Sequence, residues 1–469
     1  MKFVSTRGGA APVPFSEAMR LGLAPDGGLY VPERWPEFYP GDLHPRESLD
    51  APEGWRGSFA GGFHELDAPA GRRGSSIGDL RGHENYPELA ARVLAPFLAG
   101  DVLEEELGAI CRDAFSFPVP LVFPTDAVHP GRRAAVLELF HGPTAAFKDL
   151  GARFMAACFQ RLDAAGEGTR TILVATSGDT GGAVAAAFHG RPGTEVVILF
   201  PEGGVSGRQE KQLTAWGGNV RAFSVRGTFD DCQRMLKEAL ADEGLRATHG
   251  LTTANSINLA RILPQIVHYA FASLAYRRRN GTLPHLVIPA GNVGNSVVAL
   301  WARRMGFPLG RITLAANANR TVPDYLARGR WEPRPSVKTL ANAMDVGDPS
   351  NMERVFALYP SRDDLAAVVD AESVGDEAIR ETIARGPARW GRVWDPHTAT
   401  AVRLVETRNI EDAVIVATAH PAKFETVVEP LIGRAVEAPA SLRGILERPS
   451  RVEAMEPSLD ALLEELKTR

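Results

Sequence analysis

Leu139-Phe140-His141-Gly142-Pro143-Thr144-Ala145-Ala146-Phe147-Lys148-Asp149 reads as the end of an apolar strand, a Gly-Pro turn and the start of a helix, and this order decides the fold class. An apolar run over 135–140 leads into it, and a helical pattern over about 148–165 leads away. The same strand, turn and helix return around Val174-Ala175-Thr176-Ser177-Gly178-Asp179-Thr180-Gly181-Gly182-Ala183 and around Ile288-Pro289-Ala290-Gly291-Asn292-Val293-Gly294-Asn295-Ser296. Further buried strands are expected at 171–176, 196–200, 220–225, 286–289, 312–316 and 413–418, with helices near 181–189, 208–216, 230–243, 259–278 and 297–305. Strands alternating with helices build parallel sheets covered by helices, with ligands approaching the carboxyl ends of the strands. The chain is therefore expected to be α/β. A Gly- and Pro-rich α+β domain over 1–100 should precede two α/β lobes, 101–250 and 251–430. An extension over 431–469 should follow, its acidic tail from Glu453 a solvated amphipathic helix.

Composition narrows the function. With 469 residues, 44% of them hydrophobic and 23% charged, the chain can bury more than one core. The formal net charge of -5 and the shortness of basic runs such as Arg277-Arg278-Arg279 disfavour a nucleic-acid surface, so small metabolites are the expected partners. Cys111, Cys158 and Cys232 lie far apart and suit neither a disulfide framework nor a metal cluster, which points to a reducing cytoplasm and no metal site. No run of about 18 apolar residues supports a membrane span, and the first residues lack the apolar core of an export signal.

The three Gly-rich segments should open on one side of a sheet. Lys148 stands at a helix N-terminus behind Ala145, Ala146 and Phe147, where the helix dipole and desolvation both lower an amine's pKa, as a Schiff-base lysine requires. The bland alternative is a solvated lysine paired with Asp149. Ser177, Gly178 and Thr180 offer hydroxyl and backbone donors for a carboxylate or phosphate, or else an ordinary helix cap. The turn from Gly291 to Asn295 suits a phosphate cradle, or a plain strand-to-helix connection. Walker and complete dinucleotide patterns are missing, which disfavours nucleotide readings. Asn255, Ser256 and Arg261 add donors near a helix start, although a lone arginine is more often a surface or packing residue, and His420 reads as a loop histidine.

Taken together, HGPTAAFKD, ATSGDTGGA, NSINLARILPQ, GNVGN, MDVGDPSNMER, DPHTA and TAHPAKF resemble the successive motifs of the threonine synthase family, and the opening STRG and LAPDGGLYVPE extend the likeness from the first residues to about residue 430. Ala145 and Val293 depart from the larger aliphatic and the aromatic common in that family, which touches pocket shape and no functional group. The resemblance implies two three-layer lobes of the tryptophan synthase β-subunit-like type and pyridoxal 5'-phosphate as cofactor. By the same likeness Lys148 carries the cofactor, and Gly291, Asn292, Val293, Gly294 and Asn295 hold its phosphate. Thr418 faces the pyridine nitrogen and Asp179 lies near O3′. Ser177, Gly178 and Thr180 receive the substrate carboxylate, while Asn255, Ser256 and Arg261 receive its phosphate. The implied reaction turns O-phospho-L-homoserine and water into L-threonine and phosphate. The alternatives are a phosphohomoserine lyase, a hydroxy-amino-acid dehydratase, or a silent pyridoxal-phosphate-binding protein. Retention of Lys148 beside both anion segments argues against a silent binder.

Overall fold

A computed structural model describes residues 1–38, 85–124, 133–163 and 170–467. The strands are β1 (Phe3–Ser5), β2 (Tyr30–Pro32), β3 (Leu121–Val122), β4 (Ala135–Glu138), β5 (Arg170–Ala175), β6 (Thr194–Pro201) and β7 (Val220–Val225). They continue as β8 (Thr252–Thr253), β9 (His285–Pro289), β10 (Ile312–Ala316), β11 (Val369–Ser373), β12 (Ala413–Ala417) and β13 (Glu453–Met455). One sheet has the order β11-β10-β9-β12-β4-β3 and the other β13-β7-β6-β5-β8. All neighbours are parallel except β3 against β4. Every residue of β4, β5, β10 and β12 is buried, as expected of strands covered on both faces.

The expected strands form within a residue or two of their predicted limits, but the division of the chain into lobes is corrected. Strand β4, expected in the lobe of 101–250, pairs with β12 from Ala135↔Val414 to Glu138↔Ala417. Its wholly buried backbone needs a ladder on each side, and the equally buried β12 supplies one. The β4 sheet is thus completed by β9 to β12, while 170–253 make the other. In the span 431–469 strand β13 adds to β7, and Leu462 and Leu466 of the helix Leu459–Lys467 are buried against that sheet, forming the apolar face of the expected amphipathic helix. The helix expected over 259–278 is interrupted. Leu259–Ile262 is followed by a 3-10 turn at Leu263–Gln265 and then Ile266–Asn280, because Pro264 lacks the N–H that an α-helix requires.

The N-terminal segment forms the β1–β2 ribbon and the helix Phe15–Leu21, and it shares its core with the rest of the chain. The Phe15 ring packs edge-on against Phe154 of the helix Lys148–Asp163, 6.2 Å between centroids. That helix also lies close to the turn at Arg261: a Cβ built on Gly151 would stand 2.1 Å from the Arg261 carbonyl oxygen. Gly151→Ala is therefore expected to destabilise the protein by about 1–3 kcal/mol, as overpacking does. Gly444→Ala, in the helix Ala440–Leu446 with open space around it, should be neutral or stabilise by up to about 1 kcal/mol. Thermal melts of both variants check this, and an unmoved midpoint in Gly151→Ala would contradict the close approach.

Candidate active site

The loops leaving β4, β5, β8, β9 and β12 at their carboxyl ends converge on one cleft of about 1180 Å³, measured out to open solvent. Lys148 reaches it because residues 145–147 run antiparallel to 418–420. Phe147 N–H donates to the Thr418 carbonyl at 2.8 Å, His420 N–H donates to the Ala145 carbonyl at 3.0 Å, and Ala146 pairs with Ala419. Ala145 adopts a left-handed φ of 55°, which turns the chain so that the helix begins at Lys148. Asp149 does not pair with Lys148. Its carboxylate accepts the Thr144 N–H at 2.8 Å and the Thr144 hydroxyl at 2.7 Å, closing the turn.

Burial lowers the Lys148 amine to about 8. Asp179 opposes that shift, and Arg261 and Lys423 add to it. For Asp179, burial alone would raise the carboxyl, but Lys423 and then Lys148 overcome it and hold the group well below the usual carboxylate range. Lys423 is fully buried, and its Nζ stands 2.9 Å from Asp179 Oδ1 and 2.9 Å from the Thr144 carbonyl. Gln209 Nε2 donates to the same carboxylate oxygen at 3.1 Å.

The glycine turn after β9 is built to take an anion. Val293 adopts φ 61° just ahead of the helix Gly294–Arg304, and a Cβ on Gly291 would stand 2.6 Å from the Met344 Cα, so only glycine fits there. Asn295 Oδ1 accepts the Tyr269 hydroxyl at 2.8 Å, which turns the amide nitrogen the other way. That buried nitrogen and the buried Ser296 hydroxyl have no partner among the described residues. Unpaired buried donors at a helix N-terminus fit a phosphate group.

Of the residues singled out from the sequence, Lys148, Ser177, Asp179, Thr180, Asn255, Ser256, Arg261, Gly291, Asn292, Val293, Gly294, Asn295 and Thr418 all line this cleft. Gly178 lies between lining residues without lining the cleft itself. Its N–H donates to Thr176 Oγ1 at 3.0 Å, and its φ of 129° with Gln209 packed against it makes it a turn residue. Asn255 reaches the wall, but its amide is occupied by the end of β5, donating to the Ala175 carbonyl at 2.7 Å and accepting the Ala175 N–H at 3.2 Å. It therefore shapes the wall more than it offers donors. Arg261 is partly committed too, donating to the carbonyls of Ala254 and, at 3.5 Å, Lys148, while its buried Nε lacks a partner among the described residues. His420 stays a loop residue, its Nδ1 capping Ala422 N–H at 3.2 Å.

Two residues escaped the sequence reading. Lys423 lies in a quoted motif, but nothing local announces that it meets Asp179 from another lobe. His397 lines the cleft, donating from Nδ1 to Asp395 Oδ1 at 2.9 Å and accepting the Ala343 N–H at Nε2 at 3.1 Å. Accepting that N–H fixes the neutral tautomer.

A lysine with a lowered pKa at the mouth of a glycine-turn anion site, between two parallel α/β lobes, defines a class. Residues 126–419 match the family described as pyridoxal-phosphate dependent enzyme, and the chain is a member of it. Residues 2–53 match the threonine synthase N terminus, and 398–465 match the threonine synthase C-terminal family. A threonine synthase of Serratia marcescens is 36% identical over 446 residues, covering 94% of this chain and 93% of its own. The crystal structure of threonine synthase from Escherichia coli superposes with a TM-score of 0.82 at 33% identity, covering 99% of each chain. The structure of pyridoxal-phosphate-bound threonine synthase from Brucella melitensis gives 0.83 at 32% identity, covering 99% of this chain and 98% of that one. The chain belongs to the threonine synthase family.

Because the folded-state pKa of Asp179 is depressed, its stabilisation is present above the unfolded carboxylate range and is lost as pH falls through and below it. Lys423→Met leaves that carboxylate buried without its cation and is expected to lower stability at neutral pH by about 3–5 kcal/mol. The deficit should shrink as pH is lowered, and Lys423→Met with Asp179→Asn should recover part of it. Urea unfolding across pH measures this, and equal stability of Lys423→Met and the native chain would refute the pair.

Proposed function

We propose that this protein converts O-phospho-L-homoserine and water into L-threonine and inorganic phosphate. The observation that carries the reading is that the glycine turn with Ser296 and the adjoining Ser256–Arg261 wall, which meet where Asn292 Nδ2 donates to Ser256 Oγ at 3.0 Å, line one cleft with Lys148. One suits the phosphate of the cofactor and the other the phosphate of a substrate. Lys148 would hold the cofactor, residues 291–295 with Ser296 its phosphate, Thr418 its pyridine nitrogen, and Asp179 would lie beside its O3′. When bound, the cofactor supplies an electron sink for charge that develops at the substrate Cα.

The chain's own groups do the rest. Ser177 and Thr180, at the start of the helix Asp179–Phe188, offer hydroxyls and a helix N-terminus to the substrate carboxylate. Ser256 and Arg261, both in the cleft wall, would receive the leaving phosphate. Beside the substrate Cα, the Lys148 amine, lowered to about 8, would be matched to removing protons there and at Cβ and returning one to Cγ. In the net change the Cγ–O bond and one Cβ–H bond break, a hydrogen enters at Cγ, the hydroxyl of water enters at Cβ, and the remaining proton of water leaves with the phosphate. No helix among the described residues is long and apolar enough to cross a membrane, and Cys111, Cys158 and Cys232 are free and buried, which supports a cytoplasmic placement.

The test is product analysis with purified, cofactor-loaded protein. Threonine and phosphate should appear in equal amounts from O-phospho-L-homoserine, homoserine should be left unreacted, and Lys148→Ala should be inactive. Borohydride reduction should fix the cofactor to the peptide containing Lys148. Release of 2-oxobutyrate in place of threonine would overturn the reaction, and label on Lys423 would overturn the assignment of Lys148.

A further inference from the structure

The cleft wall contains a hydrogen-bond relay that starts at a buried arginine outside it. Arg354 is fully buried, and the four oxygens it bonds are the carbonyls of Tyr30 (3.0 Å), Ser256 (3.0 Å) and Ile257 (2.6 Å) and Oδ1 of Asn351 (2.6 Å). A guanidinium only donates, so the Asn351 amide must present its oxygen to Arg354 and its nitrogen away from it. That nitrogen donates to Ser256 Oγ at 3.0 Å, and Asn292 Nδ2 donates to the same oxygen at 3.0 Å. A hydroxyl has two acceptor positions and one proton. Both acceptor positions of Ser256 face N–H donors, and the proton is left for the cleft that Ser256 lines.

We propose that Asn351 and Arg354 are positioning residues for the leaving phosphate, holding Ser256 as an obligate hydrogen-bond donor into the cleft. This deepens the reading of Ser256 as part of the substrate phosphate site and rests on it. Asn351 is fully buried, and its amide is held at both ends, the oxygen by Arg354 Nη1 at 2.6 Å and the nitrogen by Ser256 Oγ at 3.0 Å. The Arg354 cation, bonded to no carboxylate in this set, polarises the relay toward an anion. The Tyr30 carbonyl makes the N-terminal segment part of the same device.

The experiment is calorimetric binding of inorganic phosphate to the cofactor-loaded protein, with KM and kcat for O-phospho-L-homoserine measured alongside. Ser256→Ala should weaken phosphate binding about tenfold or more, the worth of a hydrogen bond to a charged group. Asn351→Asp should weaken it at least as much, because a carboxylate captures the Ser256 proton. Its new ion pair with Arg354 should keep the variant folded where Asn351→Ala does not. In a Ser256→Ala background, Asn351→Asp should add little, the signature of action through Ser256. KM should rise with the phosphate Kd, while the cofactor absorbance stays. Native phosphate affinity in Asn351→Asp, or additive losses in the double variant, would overturn the relay and leave the Ser256 site standing. Native affinity in Ser256→Ala would remove the site itself and the proposal with it.

Discussion

The structure depends on an uneven distribution of charge in one cleft. Among the residues that line it, Asp179 is the sole carboxylate, set against Lys148, Arg261 and Lys237. Lys423 closes on Asp179 from behind at 2.9 Å and cancels even that charge. Buried cations are tolerated when oxygens satisfy them, and here backbone carbonyls do much of that for Lys423, Arg261 and Arg354. What carbonyls cannot supply is countercharge. The cleft is therefore predisposed to anions, and a phosphorylated cofactor with a phosphorylated amino acid would bring three of them.

Backbone pairing holds these groups in place. The β4–β12 ladder and the short antiparallel contact of 145–147 with 418–420 bring Lys148 and Thr418 to one end of one sheet. The other sheet delivers Asp179 at the first turn of its helix. The helix Gly207–Thr214 joins the two: Ser206 Oγ donates to the Lys423 carbonyl at 2.9 Å, and Gln212 Nε2 to the Thr144 carbonyl at 2.9 Å. Lys423 also donates to that Thr144 carbonyl, so the ion pair and the lobe interface share an acceptor.

The sequence made legible whatever is local. Wholly buried strands such as 312–316 announce themselves as apolar runs, and a glycine turn between strand and helix can be recognised before its geometry is seen. Lys148 was legible because its neighbours desolvate it. Long-range pairing was not. No periodicity tells that β4 joins β12, or that Lys423 meets Asp179, since each depends on packing between distant segments. Gly178 and Asn255 show the same limit at short range. The Gly178 N–H is taken by the Thr176 hydroxyl and the Asn255 amide by the Ala175 backbone, and residue type cannot show whether a donor is already occupied. Asn351 and Arg354 sit in a quoted motif whose meaning lies in whom they bond, which only the fold reveals.

The central claim, that burial in a cation-rich cleft leaves Lys148 as an amine ready to react near neutral pH, is tested most directly by the rate at which cofactor-free protein takes up pyridoxal phosphate as pH is varied. Only the neutral amine is a nucleophile, so below its pKa the rate falls with the fraction unprotonated. The rate should rise through a midpoint of about 8 and then level, whereas a midpoint near the ordinary lysine value of 10.5 would mean that the cleft does not lower this amine.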